Sequence, residues 1–153
     1  VDTRDELLGA FDTGVVTSLR ELAGVEAVRC GGCVGDADVA AALRLDVGAG
    51  WWAALAFPYA TAAALARRVL AGVADEPDAA LVRDCVAEFL NVAAGQAKTL
   101  LYGTPHHFTF ATPTTPPDTA AGDGVGFESE CGTFLLYLFP AAATAAPTIC
   151  QGA

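Results

Sequence analysis

Glu88 and Asn91 lie three residues apart in Ala87-Glu88-Phe89-Leu90-Asn91-Val92-Ala93-Ala94-Gly95-Gln96-Ala97-Lys98. A carboxylate and a carboxamide offer complementary chemistry. The carboxylate accepts hydrogen bonds and attracts a cation, whereas the carboxamide both donates and accepts without carrying charge. Whether they act together depends on the element that carries them. Val82, Val86, Phe89, Ala93, Ala97 and Leu100 recur at spacings of three and four, the pattern of an amphipathic helix. At roughly 100° per residue, Glu88, Asn91, Gly95 and Lys98 fall opposite that stripe. Gly95 weakens a helix by about 1 kcal/mol relative to alanine, but it leaves room for another surface to approach the two polar groups. Read without its surroundings, such a pair is an ordinary wet helix face.

The surrounding sequence narrows the choice. Glu-x-x-Asn followed by Ala94-Gly95-Gln96-Ala97-Lys98-Thr99 resembles the CheX branch of the CheC/CheX/FliY phosphatase family, whose members dephosphorylate the chemotaxis response regulator CheY. Three further segments carry the resemblance: the first long helix, the strand end Leu55-Ala56-Phe57-Pro58, and the run Gly132-Thr133-Phe134-Leu135-Leu136. The resemblance implies hydrolysis of an aspartyl phosphate on a CheY-type receiver, with Asn91 orienting the attacking water and Glu88 pairing with the receiver lysine. Gly95 and Lys98 would border the docking surface. The implied Mg²⁺ belongs to the receiver, so no cofactor or metal site is expected in this chain. The first helix lacks a Glu-x-x-Asn, so one site per chain is expected. Two alternatives stay open: a receiver-binding or scaffold module without useful activity, and a response regulator outside chemotaxis as the target.

The elements that would position the pair follow from periodicity and turn chemistry. Thr3-Arg4-Asp5-Glu6 is a capping-box pattern, and an apolar stripe from Leu7 to Leu22 predicts a helix over 4–23 ended by Gly24. Val25 to Val34 reads as a short extended stretch. Val39–Val47 and Trp51–Phe57 form a hairpin signal around Gly48-Ala49-Gly50. The adjacent Trp51 and Trp52 must point to opposite faces of a strand, one toward the core and one under a helix or at a subunit contact. Tyr59 to about Ala71 predicts a second helix stopped by Gly72. The third begins after Asp75-Glu76-Pro77-Asp78 and ends at Tyr102-Gly103-Thr104-Pro105. His107–Thr112 reads as a strand, 113–126 as a polar connection, and Phe127–Cys131 with Phe134–Phe139 as a closing hairpin. The order predicts an α+β fold with long helices on a largely antiparallel sheet and two loosely pseudo-symmetric halves, as in CheC-like proteins. One domain would span residues 3–139, with a loose tail over 140–153.

Composition excludes several function classes. The 153 residues carry 18 acidic against 8 basic side chains, a formal net charge of −10, which opposes nucleic-acid binding and adhesion to anionic lipid. The chain is 54% hydrophobic, yet charges and breaks interrupt every run before it could span a bilayer. No stretch has the layout of a signal peptide, and a cytoplasmic location with reduced thiols is the expectation. Of the five cysteines, Cys30 and Cys33 form a Cys-Gly-Gly-Cys, but no second pair or histidine completes a zinc set. Structural or incidental thiols are the favoured reading. The neighbours His106 and His107 cannot easily share one ion, and Ser18 and Ser129 lack a recognisable base. A homodimer through sheet edges is also expected from the resemblance.

Overall fold

The computed structural model describes residues 2–31, 36–116 and 124–141. Helix α1 covers Thr3–Ala23. Its cap is Asp2, whose side chain accepts from the Arg4 N–H at 3.3 Å, so Thr3 is the first helical residue and the expected Thr3 cap moves back by one. The Asp2 carbonyl already accepts from the Glu6 N–H, which is why the helix starts earlier. Gly24 ends it at φ 67° and donates to the Arg20 carbonyl, while the Val25 N–H reaches Leu19, the left-handed closure that glycine permits.

Strand β1 is Ala27–Cys30. Strands β2 (Val39–Leu45) and β3 (Trp51–Phe57) form the expected hairpin, with Val39 opposite Phe57 and Leu45 opposite Trp51. Helix α2 follows at Tyr59–Val69. Asp38 caps it from the preceding strand connection by accepting from the Tyr59 N–H at 2.9 Å, which gives that loop acid a structural task. Helix α3 runs Ala79–Leu100, capped by Asp78 through the Leu81 N–H at 2.9 Å. Strands β4 (Val125–Ser129) and β5 (Gly132–Pro140) close the fold.

The sheet is antiparallel throughout, in the order β1-β4-β5-β3-β2. Its symmetry is visible in that order. Each long helix, α1 or α3, precedes a hairpin, β2–β3 or β4–β5, and the inner strands of the two hairpins pair antiparallel at the centre. Strand β1 is an addition outside β4.

All three helices lie on one face, where the main core forms. Phe57 stacks on Phe134 with ring centroids 4.7 Å apart, Phe134 on Phe127 at 5.2 Å, and Phe89 of α3 comes within 6.3 Å of Phe57. These buried rings fix α3 on the sheet, since displacing it would expose large apolar area. On its other side α3 meets α1 at close range: a Cβ at Gly14 would collide with the Ala93 backbone. Trp51 packs partly against this core and Trp52 points to the opposite face, each half-buried.

Residues 107–112 do not form the predicted strand. Phe110 and Thr114 make only isolated bridges, to Leu45 and Ala42, and the Asp46 N–H donates to Thr109 at 2.9 Å. Pro105, Pro113 and Pro116 lack the N–H that a continuous ladder needs, so the segment touches the β2 edge at points. Leu100 also departs from expectation: it is 53% exposed in the last helical turn, whereas Val82, Val86, Phe89, Ala93 and Ala97 are buried. Val34, Cys33, the middle of the 113–126 connection and residues 142–153 of the expected tail lie outside the described residues.

Candidate functional site

The site is built on the outer face of α3. The buried residues of this helix occupy one continuous arc against α1 and the sheet, which leaves Glu88 and Asn91 exposed together on the far side. Both side chains stand on a helix of 22 residues that is capped at its start and packed along its length. Rigid support of this kind is what a positioned polar pair requires. Neither side chain takes part in an ion pair or side-chain hydrogen bond among the described residues, so both are available to a partner.

Gly95 lies one turn beyond Asn91. A Cβ built there meets nothing within 4 Å, so the space above it is open. Lys98 follows on the same face, half-buried, with its Nζ 6.0 Å from the centre of the Phe110 ring. That contact distinguishes it from a fully solvated helix lysine. Tyr102, just past the helix end, is 79% exposed and makes an edge-on contact with His107 at 5.5 Å. Tyr102 stands four residues from Lys98 and continues the same line, a spacing visible in the sequence.

A groove of about 270 Å³ lies beside the pair, lined by Arg83, Asp84 and Ala87 of α3 together with Pro113, Thr114 and Thr115. It was not legible in the sequence, because its far wall comes from a segment more than twenty residues downstream. Cys85 lies three residues, nearly one turn, before Glu88, on the buried side. Burial pushes its thiol up from the usual range, and the carboxylates of Asp84 and Glu88 add to the effect. The group therefore stays protonated near neutrality and has no nucleophilic task here. Cys30, Cys85 and Cys131 are free. The described residues contain no cluster of three or more His, Cys, Asp or Glu side chains suited to a metal ion. His106 and His107 are half-buried in the exit from α3. Ser18 is buried and donates to the Val15 carbonyl at 2.8 Å, and Ser129 bonds within the β4–β5 turn. Both hydroxyls are thus structural.

Residues 52–130 match the family model for the chemotaxis phosphatase CheX, a span running from β3 through α3 to the end of β4. The chain belongs to the CheX family. Solved structures agree at the level of the fold. CheX from Vibrio vulnificus is 21% identical, with a TM-score of 0.71 over 91% of this chain and 99% of the other. CheX from Desulfovibrio desulfuricans is 21% identical, with a TM-score of 0.69 over 88% and 99%. A CheX–CheY–BeF₃–Mg²⁺ complex from Borrelia burgdorferi is 17% identical, with a TM-score of 0.63 over 92% and 97%. No curated protein matches the chain. The α+β architecture expected of a CheX-like chain is therefore the one present. No helix among the described residues is long and apolar enough to cross a membrane.

Proposed function

We propose that this CheX-family protein hydrolyses the aspartyl phosphate of a CheY-type response regulator. The observation that carries the reading is the joint exposure of Glu88 and Asn91 on one rigid face of α3, inside the segment that matches the family model. The relative solved as a CheX–CheY–BeF₃–Mg²⁺ complex supports a phosphorylated receiver as partner.

The chemistry asks little covalent work of the protein. Water attacks phosphorus, the bond to the aspartyl carboxylate breaks, and inorganic phosphate leaves with the water oxygen. Phosphoryl transfer of this kind responds mainly to positioning and to charge stabilisation. Asn91 enters the receiver's site from the helix face. Its carbonyl accepts from the attacking water and its amide donates to phosphoryl oxygen, holding the water in line. A carboxylate at this position would repel the phosphoryl group. Glu88, one turn back, pairs with the receiver's active-site lysine and fixes the angle at which Asn91 enters. The bare Gly95 lets the receiver surface come close, and Lys98 borders the contact. The Mg²⁺ is the receiver's own, and this chain supplies no cofactor.

The test is phosphate loss from a phosphorylated CheY-type receiver with Mg²⁺, followed with and without the protein. Acceleration at substoichiometric protein supports the reading. Tight binding with no acceleration would replace it with a receiver-binding module.

A further inference from the structure

Helix α3 carries two cations, Arg83 and Lys98. Neither has an acidic residue three or four positions away on the helix. Arg83 is surrounded at those spacings by Ala79, Ala80, Val86 and Ala87, and Lys98 by Ala94, Gly95, Leu101 and Tyr102. Arg20, Arg29 and Arg68 are each bound to a carboxylate, Glu26, Asp12 and Glu130 respectively, whereas Arg4, Arg44 and Arg67 share the unpaired state among the described residues, so it is their place on α3 that sets Arg83 and Lys98 apart. Among the described residues, no carboxylate lies within ion-pair distance of Arg83 or Lys98.

The two cations also share a flank. Arg83 lines the groove against Pro113–Thr115, and Lys98 lies over Phe110 of the same segment. At about 1.5 Å per residue, Arg83 is about 12 Å to one side of Asn91 along the helix and Lys98 about 10 Å to the other. Around the helix, both turn away from Glu88: relative to Asn91, Glu88 lies about 60° one way, Lys98 about 20° and Arg83 about 80° the other.

We propose that Arg83 and Lys98 form a basic seam that seats the acidic rim of a phosphorylated receiver's active site. The inference rests on the function proposed above and adds how the partner is oriented. The partner's reacting centre brings a phosphoryl group and the oxygen-rich ligands that hold Mg²⁺. This protein carries a net charge of −10, so the two molecules repel unless the contact surface is locally positive. Arg83 and Lys98 supply that local charge along one flank of α3, while the exposed Asp84 lies with Glu88 toward the other flank, about 20° from Asn91. Because Glu88 lies on the other flank, the receiver lysine and its acidic rim are sorted to opposite sides of α3, which selects one docking orientation.

The experiment compares Arg83→Glu with Arg67→Glu in the receiver assay and in a binding titration with the phosphorylated receiver. Arg67 is exposed on α2, so its reversal gives the same net charge away from the seam. Arg83→Glu is expected to raise KM and Kd about tenfold at unchanged kcat, the signature of lost steering rather than lost chemistry. It should also flatten the salt dependence of kcat/KM between about 50 and about 200 mM salt. Lys98→Glu should act in the same direction, and Arg67→Glu should stay within about twofold of wild type. Equal effects of Arg83→Glu and Arg67→Glu would reduce the seam to net charge and overturn it. Unchanged binding by Arg83→Glu would do the same. If wild type binds without accelerating phosphate loss, the catalytic reading fails and the Kd comparison still decides the seam. If wild type does not bind, both fail.

Discussion

A carboxamide at position 91 is expected to act through its geometry, and an exposed alanine in its place should leave the fold alone. Asn91→Ala should lower kcat by about 10²–10³-fold, the scale seen when one oriented hydrogen-bonding group is removed from a reaction centre. Its stability should stay within about 0.5 kcal/mol of wild type by denaturant titration, as for other exposed positions. Glu88→Ala should weaken binding and lower the rate together; unchanged affinity and rate would remove the lysine-pairing role. Gly95 gives a sharper test, because stability and activity should move in opposite directions. Gly95→Ala meets open space, so it should stabilise the helix by up to about 1 kcal/mol, while raising KM by crowding the receiver. An unchanged KM would mean that no surface approaches there. The pair was legible in the sequence because its two members share one helix, where periodicity alone assigns faces. Arg83 and Tyr102 were not singled out, since the groove wall at Pro113–Thr115 and the Phe110 ring reach α3 only through the tertiary fold.

Helix α3 holds its place through α1 as well as through the sheet. Gly14 allows the two helix backbones to approach at Ala93, and a Cβ has nowhere to go. Gly14→Ala should therefore destabilise the protein by about 1–3 kcal/mol, the usual cost of overpacking, despite alanine's better helix propensity. A gain in stability would show that the helices can separate freely. This contact is illegible in one sequence: Gly14 sits inside a helical stripe and nothing local distinguishes it from Gly9, which has open space beside it. The helices, the hairpin glycines and the closing Gly132 turn were legible, because their signals are local periodicity and backbone freedom. The His107–Thr112 strand was misread for the converse reason. Its alternating residues suit a strand, but the prolines around it and the single available edge of β2 allow only two isolated bridges. Asp2 replaced Thr3 as cap because both can accept a hydrogen bond and the backbone geometry decides between them.

As a whole molecule, the protein presents an acidic surface, one helix-bearing face and two sheet edges. The β2 edge is partly occupied by the bridges to Phe110 and Thr114, whereas β1 has a strand on one side only among the described residues. A homodimer, if formed through an edge, should therefore use β1, where Val28 is exposed. Light scattering should then report a dimer mass that Val28→Lys converts to a monomer; a wild-type monomer at high concentration would refute the dimer. The measurement that bears most directly on the account is the time course of phosphate loss from a Mg²⁺-loaded, phosphorylated CheY-type receiver, with wild type and Asn91→Ala side by side and receiver binding measured for each. The account predicts acceleration by wild type, loss of that acceleration in Asn91→Ala, and equal binding by both. Equal acceleration by the two proteins would contradict the role of Asn91, and binding by both without acceleration would contradict the phosphatase itself.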